Sequence, residues 1–399
     1  MRILHVLTAF PRSTDDVIVP WLVELLKHLR AAGHDVEVLT SAYKGGGNRE
    51  FAGIPVHRFR YFAARWEDLT HEEAAPDRMR HSWRYRIMPA FYVACGAWAA
   101  WRLGRRQHYD VVHVHWPVPN ALFGWLIRRG CGARLVTSWY GAELRLVKGS
   151  LPWLRPFLRW ALGTSDQVVA ISSHTAREVA EVSAVRPRVI PYTIGFTAAG
   201  DAGARTAPRD GLGVLFVGRL VERKGVRYLI EAVQRLAPHR RARLVIIGDG
   251  PERERLAEQV RRGGLEGRVE LRGRVSDREL RQAYADASVL VLPAIVDTRG
   301  DTEGLGVVLL EAMSYRVPVV ASDLGGITDI VTGEENGLLV PPADAAALAA
   351  ALERLAADAA LAGRLGNAGY RVVQERFSWP AILAQWETCY AAAVSRKMN

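Results

Sequence analysis

The sequence has little cysteine, no long hydrophobic run and, over more than half its length, no tryptophan. Cys95, Cys131 and Cys389 are odd in number and widely separated, with no C-x-x-C. They exclude a disulfide framework and read as reduced thiols of a cytosolic protein. The longest nearly apolar stretch, Ile87 to Trp101, falls short of the roughly 20 residues needed to cross a bilayer. The chain passes at once into the apolar run Ile3 to Leu7, with no cleavable signal pattern. No G-x-x-x-x-G-K occurs, so the glycine-rich Lys44 to Glu50 reads as a connection and not as a phosphate cradle. Gly248-Asp249-Gly250-Pro251 lacks the third glycine and the second-strand acid of a nicotinamide fingerprint, which makes a dehydrogenase a weak reading.

Tryptophan and charge divide the chain. Ten of the 12 tryptophans lie between Trp21 and Trp160, and the other two are Trp379 and Trp386. Residues 1–195 hold 26 Lys+Arg against 16 Asp+Glu, a net +10 of the total +11. The length suits two domains of ordinary size, and the two halves face different partners. The basic half suits an anionic acceptor, a membrane surface or nucleic acid.

The pattern along the chain alternates strand and helix, as parallel α/β sheets do. Residues 2–8 read as a buried strand, Val17 to Ala32 as an amphipathic helix stopped by Gly33, and Val36 to Leu39 as the next strand. Thr8 to Asp16 is then the loop after the first strand, where open α/β sheets bind ligands. Arg78 to Arg106 mixes arginine with aromatics, and Ile87, Phe91, Trp98 and Trp101 fit one helical stripe. This reads as a helix packed on the sheet with an Arg-rich exposed side, or as a segment lying against lipid headgroups. Leu151 to Leu162 interleaves Trp153, Phe157 and Trp160 with Arg155 and Arg159. Residues 196–211 look like a linker. The alternation resumes from 213, and Asp344 to Arg371 reads as helical.

One stretch concentrates chemistry. Glu303 to Ala312 reads E-G-L-G-V-V-L-L-E-A, two carboxylates around glycines and an apolar run. With a helix starting near Gly304, Glu303 stands at its mouth and Glu311 two turns inside. The free N–H groups around Gly304, Leu305 and Gly306 then offer an anion site. Upstream, V-L-F-V-G-R-L-V-E-R-K-G from Val214 to Gly225 reads as strand, turn and helix start, and it presents Arg219 and Lys224 at the carboxyl end of a sheet.

Together with Pro318 to Ser322 and Gly325-Gly326-Ile327, these stretches resemble the retaining family 4 glycosyltransferases of the GT-B fold, over nearly the whole chain. The resemblance implies two Rossmann-like α/β domains facing across a cleft. Residues 1–195 would bind the acceptor and 212–378 the nucleotide-sugar donor, and the last helix, about 379–399, would cross back to the first domain. It implies that Arg219 and Lys224 contact the donor phosphates and that Glu311 holds the ribose hydroxyls. Glu303 would contact the transferred sugar or assist departure, and the backbone at Gly273 and Val275 would read the base. No D-x-D occurs, so a metal-dependent hold on the diphosphate is unsupported and no cofactor is expected.

The sequence departs from the family in two places. The loop Phe10 to Asp16 has no Gly-Gly pair. Where T-x-H-G is expected, Thr137-Ser138-Trp139-Tyr140-Gly141 puts Tyr140 in place of the histidine. Tyrosine can still donate a hydrogen bond, and His115, at the end of a strand, is the alternative catalytic residue. Glu143 is a candidate for acceptor hydroxyls.

The expected activity is therefore transfer of a sugar from a nucleotide-diphosphate sugar to a sugar or lipid-linked acceptor, in polysaccharide or glycolipid synthesis. Its place is the cytoplasm, peripheral to the inner membrane face where the acceptor is an anionic lipid. The alternatives are a catalytically weak nucleotide-sugar-binding protein on the same fold and a basic nucleic-acid-binding protein. The latter has no recognised motif behind it.

Overall fold

The computed structural model describes residues 1–13, 16, 18–46, 49–70, 83–194, 211–236 and 242–395. The expected linker falls outside these residues except for Gly211. The chain divides into two compact units, Met1–Tyr192 with Trp379–Asn399, and Thr193–Ser378.

The first unit is built on an eight-stranded sheet. Its strands are β1 (Arg2–Val6), β2 (Asp35–Ser41), β3 (Glu50–Phe51), β4 (Ile54–Phe59), β5 (Val111–His115), β6 (Arg134–Trp139), β7 (Gln167–Ala170) and β8 (Arg188–Val189), in the spatial order β3-β4-β2-β1-β5-β6-β7-β8. All neighbours run parallel except β3 and β4. The helices are α1 (Pro20–Ala31), α2 (Trp83–Arg106), α3 (Pro117–Cys131), α4 (Ala142–Gly149), α5 (Arg155–Thr164) and α6 (Ser173–Ala180). The central strands β1, β5, β6 and β7 are buried through nearly their whole length, as strands of a parallel sheet covered on both faces are, whereas the edge strands β3 and β8 are short and largely exposed. Strand order reverses between β1 and β5, which makes their carboxyl ends the switch point of this sheet.

In α2 the stripe Ile87, Phe91, Trp98 and Trp101 is exposed, and the buried arc is Met88, Tyr92, Gly96, Ala100 and Gly104. Close approach decides this. A Cβ on Gly104 would stand 2.8 Å from the Cα and carbonyl oxygen of Ile127 on α3. The small-residue side therefore meets α3, and the aromatics are left outside.

The second unit carries β9 (Gly213–Val217), β10 (Arg243–Ile247), β11 (Val269–Gly273), β12 (Val289–Leu292), β13 (Val319–Ser322) and β14 (Leu338–Val340), all parallel in the order β11-β10-β9-β12-β13-β14. Its helices are α7 (Val226–Arg235), α8 (Arg253–Arg262), α9 (Asp277–Asp286), α10 (Val307–Ser314), α11 (Ala345–Ala357) and α12 (Ala359–Arg376). The reversal here lies between β9 and β12. The single helix expected from Asp344 is two, because Asp358 leaves helical backbone and caps Leu361 with its side chain.

The last helix, α13 (Trp379–Ser395), belongs to the first unit, where Ile382, Trp386, Cys389, Tyr390 and Ala393 join the core of α1 and the sheet.

Candidate active site

In the second unit, the loops that leave the two switch-point strands meet. The loop after β9 supplies Arg219, Arg223 and Lys224, and the loop after β12 supplies Asp301 and Glu303. Lys224 Nζ stands 2.5 Å from Glu303 Oε2, Arg223 donates to the same oxygen at 3.3 Å, and Arg223 also pairs with Asp301 at 3.5 Å. The loops are stitched together by the Ile295 N–H on the Arg223 carbonyl at 2.8 Å. Glu303 and Lys224 are both buried, whereas Arg219 is exposed. Burial alone would raise the Glu303 carboxyl. The charges of Lys224 and Arg223, the hydrogen bond from Lys224 and the Leu305 N–H outweigh it and hold the group below its ordinary value.

Helix α10 starts at Val307, three residues later than the sequence suggests, with Gly306 as its cap at φ 92°. That left-handed backbone favours glycine. Glu303 therefore precedes the helix by a full turn, and Glu311 lies one turn inside it, not two. The first N–H groups of α10 have no carbonyl within the helix to bond. Gly325 and Gly326 back this loop: the Gly326 N–H donates to the Glu303 carbonyl at 2.9 Å, and a Cβ on Gly326 would meet the Gly304 oxygen at 2.0 Å. Glu311 accepts a hydrogen bond from the Tyr284 hydroxyl on α9. Burial pushes Glu311 up to about 7, against that hydrogen bond and the charge of Lys224. Lys224 thus acts on both carboxylates. Gly273 ends β11 at φ 71°, its carbonyl taken by the Gly248 N–H at 2.8 Å, and Val275 follows it in the same loop.

In the first unit, Tyr140 follows β6, partly exposed and walled by aromatics, with Trp116 stacked at 4.6 Å between ring centroids and Trp21 at 5.5 Å. His115 ends β5 directly behind it. The His115 Nδ1 lies 2.6 Å from the Tyr140 hydroxyl and its Nε2 lies 3.0 Å from the His5 Nδ1. All three rings of His5, His113 and His115 are fully buried. Burial holds them neutral, His5 at about 3 by burial alone, and His113 and His115 well below the ordinary value, where neighbouring histidines add to the effect of burial. His115 therefore reaches outward through Tyr140 and not by itself.

Among the described residues these histidines are the one group of three placed to hold a metal ion. Both ring nitrogens of His113 are already engaged, by Tyr390 at 2.8 Å and Ser138 at 2.8 Å. That leaves no ligand lone pair free on His113, and the cluster is a hydrogen-bonded chain. Burial, then the nearby Glu143 charge, raises the Tyr140 hydroxyl well above its ordinary value, so it is a donor and no base. Glu143 opens α4. Its Oε1 accepts the Tyr140 N–H at 2.8 Å, its Oε2 has no partner, and burial pushes the group up to about 7.

The paired sites answer to known proteins. Residues 211–358 match the profile "Glycosyl transferases group 1", and residues 19–193 match "Glycosyl transferase 4-like domain". The GDP-mannose-dependent alpha-(1-6)-phosphatidylinositol monomannoside mannosyltransferase of Mycolicibacterium smegmatis is 31% identical over 82% of this chain and 88% of its own length. The chain belongs to the group 1, family 4-like glycosyltransferases. Its fold is GT-B. Sucrose-phosphate synthase of Thermosynechococcus elongatus superposes with a TM-score of 0.73 at 24% identity, over 98% of both chains. The Anabaena protein HepE, solved in complex with UDP, superposes with 0.71 at 19% identity, over 98% of this chain and 100% of its own.

Three residues of these two clusters escape the sequence: Arg223, Tyr284 and His5. Arg223 adjoins Lys224, and its neighbour was the available signal. Tyr284 and His5 carry no local signal, since their partners lie 27 and 110 residues away.

Proposed function

We propose that this enzyme moves a sugar from a nucleotide-diphosphate sugar to an acceptor hydroxyl with retention of anomeric configuration, in polysaccharide or glycolipid synthesis. The donor occupies the second unit and the acceptor the first. The observation that carries this reading is the Lys224–Glu303–Arg223 cluster, built from the loops of both switch-point strands beside the start of α10. Lys224, Arg219 and the α10 N–H groups neutralise the leaving diphosphate without a metal. Glu303 steers the transferred sugar, Glu311 accepts from the ribose, and the backbone at Gly273 and Val275 faces the base. UDP in the HepE structure supports a nucleoside diphosphate on this fold.

The bond from the anomeric carbon to the diphosphate oxygen breaks, and the bond to the acceptor oxygen forms on the same face. The acceptor's proton passes to the departing phosphate oxygen. No protein base is required on this route, which suits a first unit where the hydroxyl of the partly exposed Tyr140, hydrogen-bonded to His115, stays protonated. The acceptor is a lipid-linked sugar at the anionic inner face of the membrane. Its support is the basic first unit and the phosphatidylinositol mannoside named for the mycobacterial relative.

The test is a transfer assay over nucleotide sugars. Glu303→Gln keeps affinity for the bare nucleotide and lowers turnover by on the order of a hundredfold, the loss of one charge-assisted contact in the transition state. Lys224→Ala and Arg219→Ala slow transfer, and EDTA changes little. Donor binding with neither transfer nor hydrolysis would leave a binding protein. Activity abolished by EDTA and restored by Mg²⁺ would overturn the metal-free route.

A further inference from the structure

The outer face of α2 is an apolar ridge set in cations. Trp83, Ile87, Phe91, Trp98 and Trp101 are 69%, 40%, 48%, 59% and 45% exposed. At about 100° per residue they fall within an arc of about 80°, centred opposite the buried arc that meets α3. Five large hydrophobic side chains on one face of one helix exceed the scattered singles that a soluble surface normally shows.

Among the described residues, the three packed helices that carry the ridge hold charge of one sign. Helices α2, α3 and α5, packed side by side, carry Arg84, Arg86, Arg102, Arg105, Arg106, Arg128, Arg129, Arg155 and Arg159 and no acidic residue. Four of these arginines lie over tryptophan rings: Arg102 at 5.3 Å from Trp98, Arg105 at 5.2 Å from Trp101, Arg129 at 5.5 Å from Trp125 and Arg84 at 5.4 Å from Trp66. The acidic groups that touch these helices are turned to partners within the unit. Asp68 accepts from Tyr85, Asp166 pairs with Arg128 at 3.3 Å, and beside α5 Glu178 pairs with Arg145 at 3.1 Å and Glu181 with Lys148 at 3.3 Å. On the short 3-10 turn Pro152–Leu154 just before α5, Trp153 adds a further indole, 71% exposed.

From this face we infer that α2 is the surface by which the enzyme docks on an anionic bilayer, its ridge lying at the headgroup level and its arginines on lipid phosphates. Indoles and guanidiniums together suit that level, where the ring is half buried and the cation stays wet. A second copy of this chain is disfavoured as the occupant, because a two-fold contact would set each basic face against itself. The apolar ridge separates the face from a nucleic-acid site, where cations and not exposed aliphatic and aromatic ridges meet the duplex backbone. The inference deepens the reading of a lipid-linked acceptor and rests on it for its purpose, but docking is measured without transfer.

The experiment is co-sedimentation of the whole enzyme with vesicles of phosphatidylcholine alone or with phosphatidylglycerol, at low and high salt. Binding to anionic vesicles at low salt should exceed binding to neutral ones at least tenfold and fall with salt. Trp98→Ser with Trp101→Ser should lower it about tenfold, as should Arg102→Gln with Arg105→Gln. Each pair should leave the melting temperature and turnover on a water-soluble acceptor unchanged. Loss of turnover in the parent would count against the glycosyltransferase reading and not against docking. Equal binding to neutral vesicles, or ridge variants that bind as the parent does, would overturn the inference. So would ridge variants that instead abolish self-association or a salt-dependent shift of DNA or RNA.

Discussion

Glu311 sits in a tug between burial, which pushes its carboxyl up to about 7, and two groups that pull it down, the Tyr284 hydroxyl and Lys224. Ribose hydroxyls donate, and a carboxylate accepts from them where a carboxyl does so poorly. A nucleotide-diphosphate sugar keeps its charge between pH 6 and 8, so the titration felt by binding is that of the enzyme. Affinity should rise about tenfold from pH 6 to pH 8 as Glu311 ionises. Stability of the empty enzyme takes the opposite slope. A folded-state value raised above the ordinary 4.5 favours folding below 4.5, and that contribution is lost as pH rises through 7. Glu311→Gln should flatten the binding profile and, at pH 8, weaken binding by about 1.5–3 kcal/mol. Titration calorimetry across pH 6–8 reads both effects, and a flat parent profile would remove Glu311 from the ribose.

At the scale of the element, α2 shows what a sequence can and cannot say. Its aromatic stripe was legible as a stripe, yet the side it faces was not. Periodicity gives a helix two faces and does not name the buried one. The deciding residues were the quiet ones, Gly96, Ala100 and Gly104. Burial there comes from backbone approach and not from hydrophobicity. The helix that carries Glu311 was legible from its glycines and apolar run, and its start was misplaced because Gly304 and Gly306 both permit a cap while only Gly306 takes the left-handed turn. Paired site residues such as Lys224 and Glu303 were legible as candidates. Their ion pair was not, since its partners are 79 residues apart and meet only because β9 and β12 become neighbours. The packing argument gives a prediction. Gly104→Val places its branch against the Ile127 backbone, which cannot turn aside as a side chain can. The variant should lose about 1–3 kcal/mol of stability, read by urea denaturation, whereas Gly132→Ala, a turn glycine with nothing within 4 Å but φ 76°, should lose less than that packing cost. A Gly104→Val variant as stable as the parent would mean that α2 does not approach α3 in this way.

For the whole molecule, the uneven tryptophans that first divided the sequence become an instrument. All twelve lie in the first unit, because α13 carries Trp379 and Trp386 into it. Indole fluorescence therefore reports unfolding of the first unit alone, and far-ultraviolet circular dichroism reports both. Trp386 is 5% exposed, packs its ring 4.7 Å from His113 and 5.7 Å from Tyr390, and anchors the helix whose Tyr390 hydroxyl meets His113. Trp386→Ala empties that contact and should cost about 3–5 kcal/mol. The loss belongs to one unit. The fluorescence transition should move to lower urea, while the part of the dichroism transition due to residues 193–378 stays where it was. A nucleotide sugar should then move that second part upward, in the variant as in the parent, because a ligand stabilises the unit that binds it. Fluorescence and dichroism shifting together by the same amount would show that the two units unfold as one, and the assignment of α13 to the first unit's stability alone would fail.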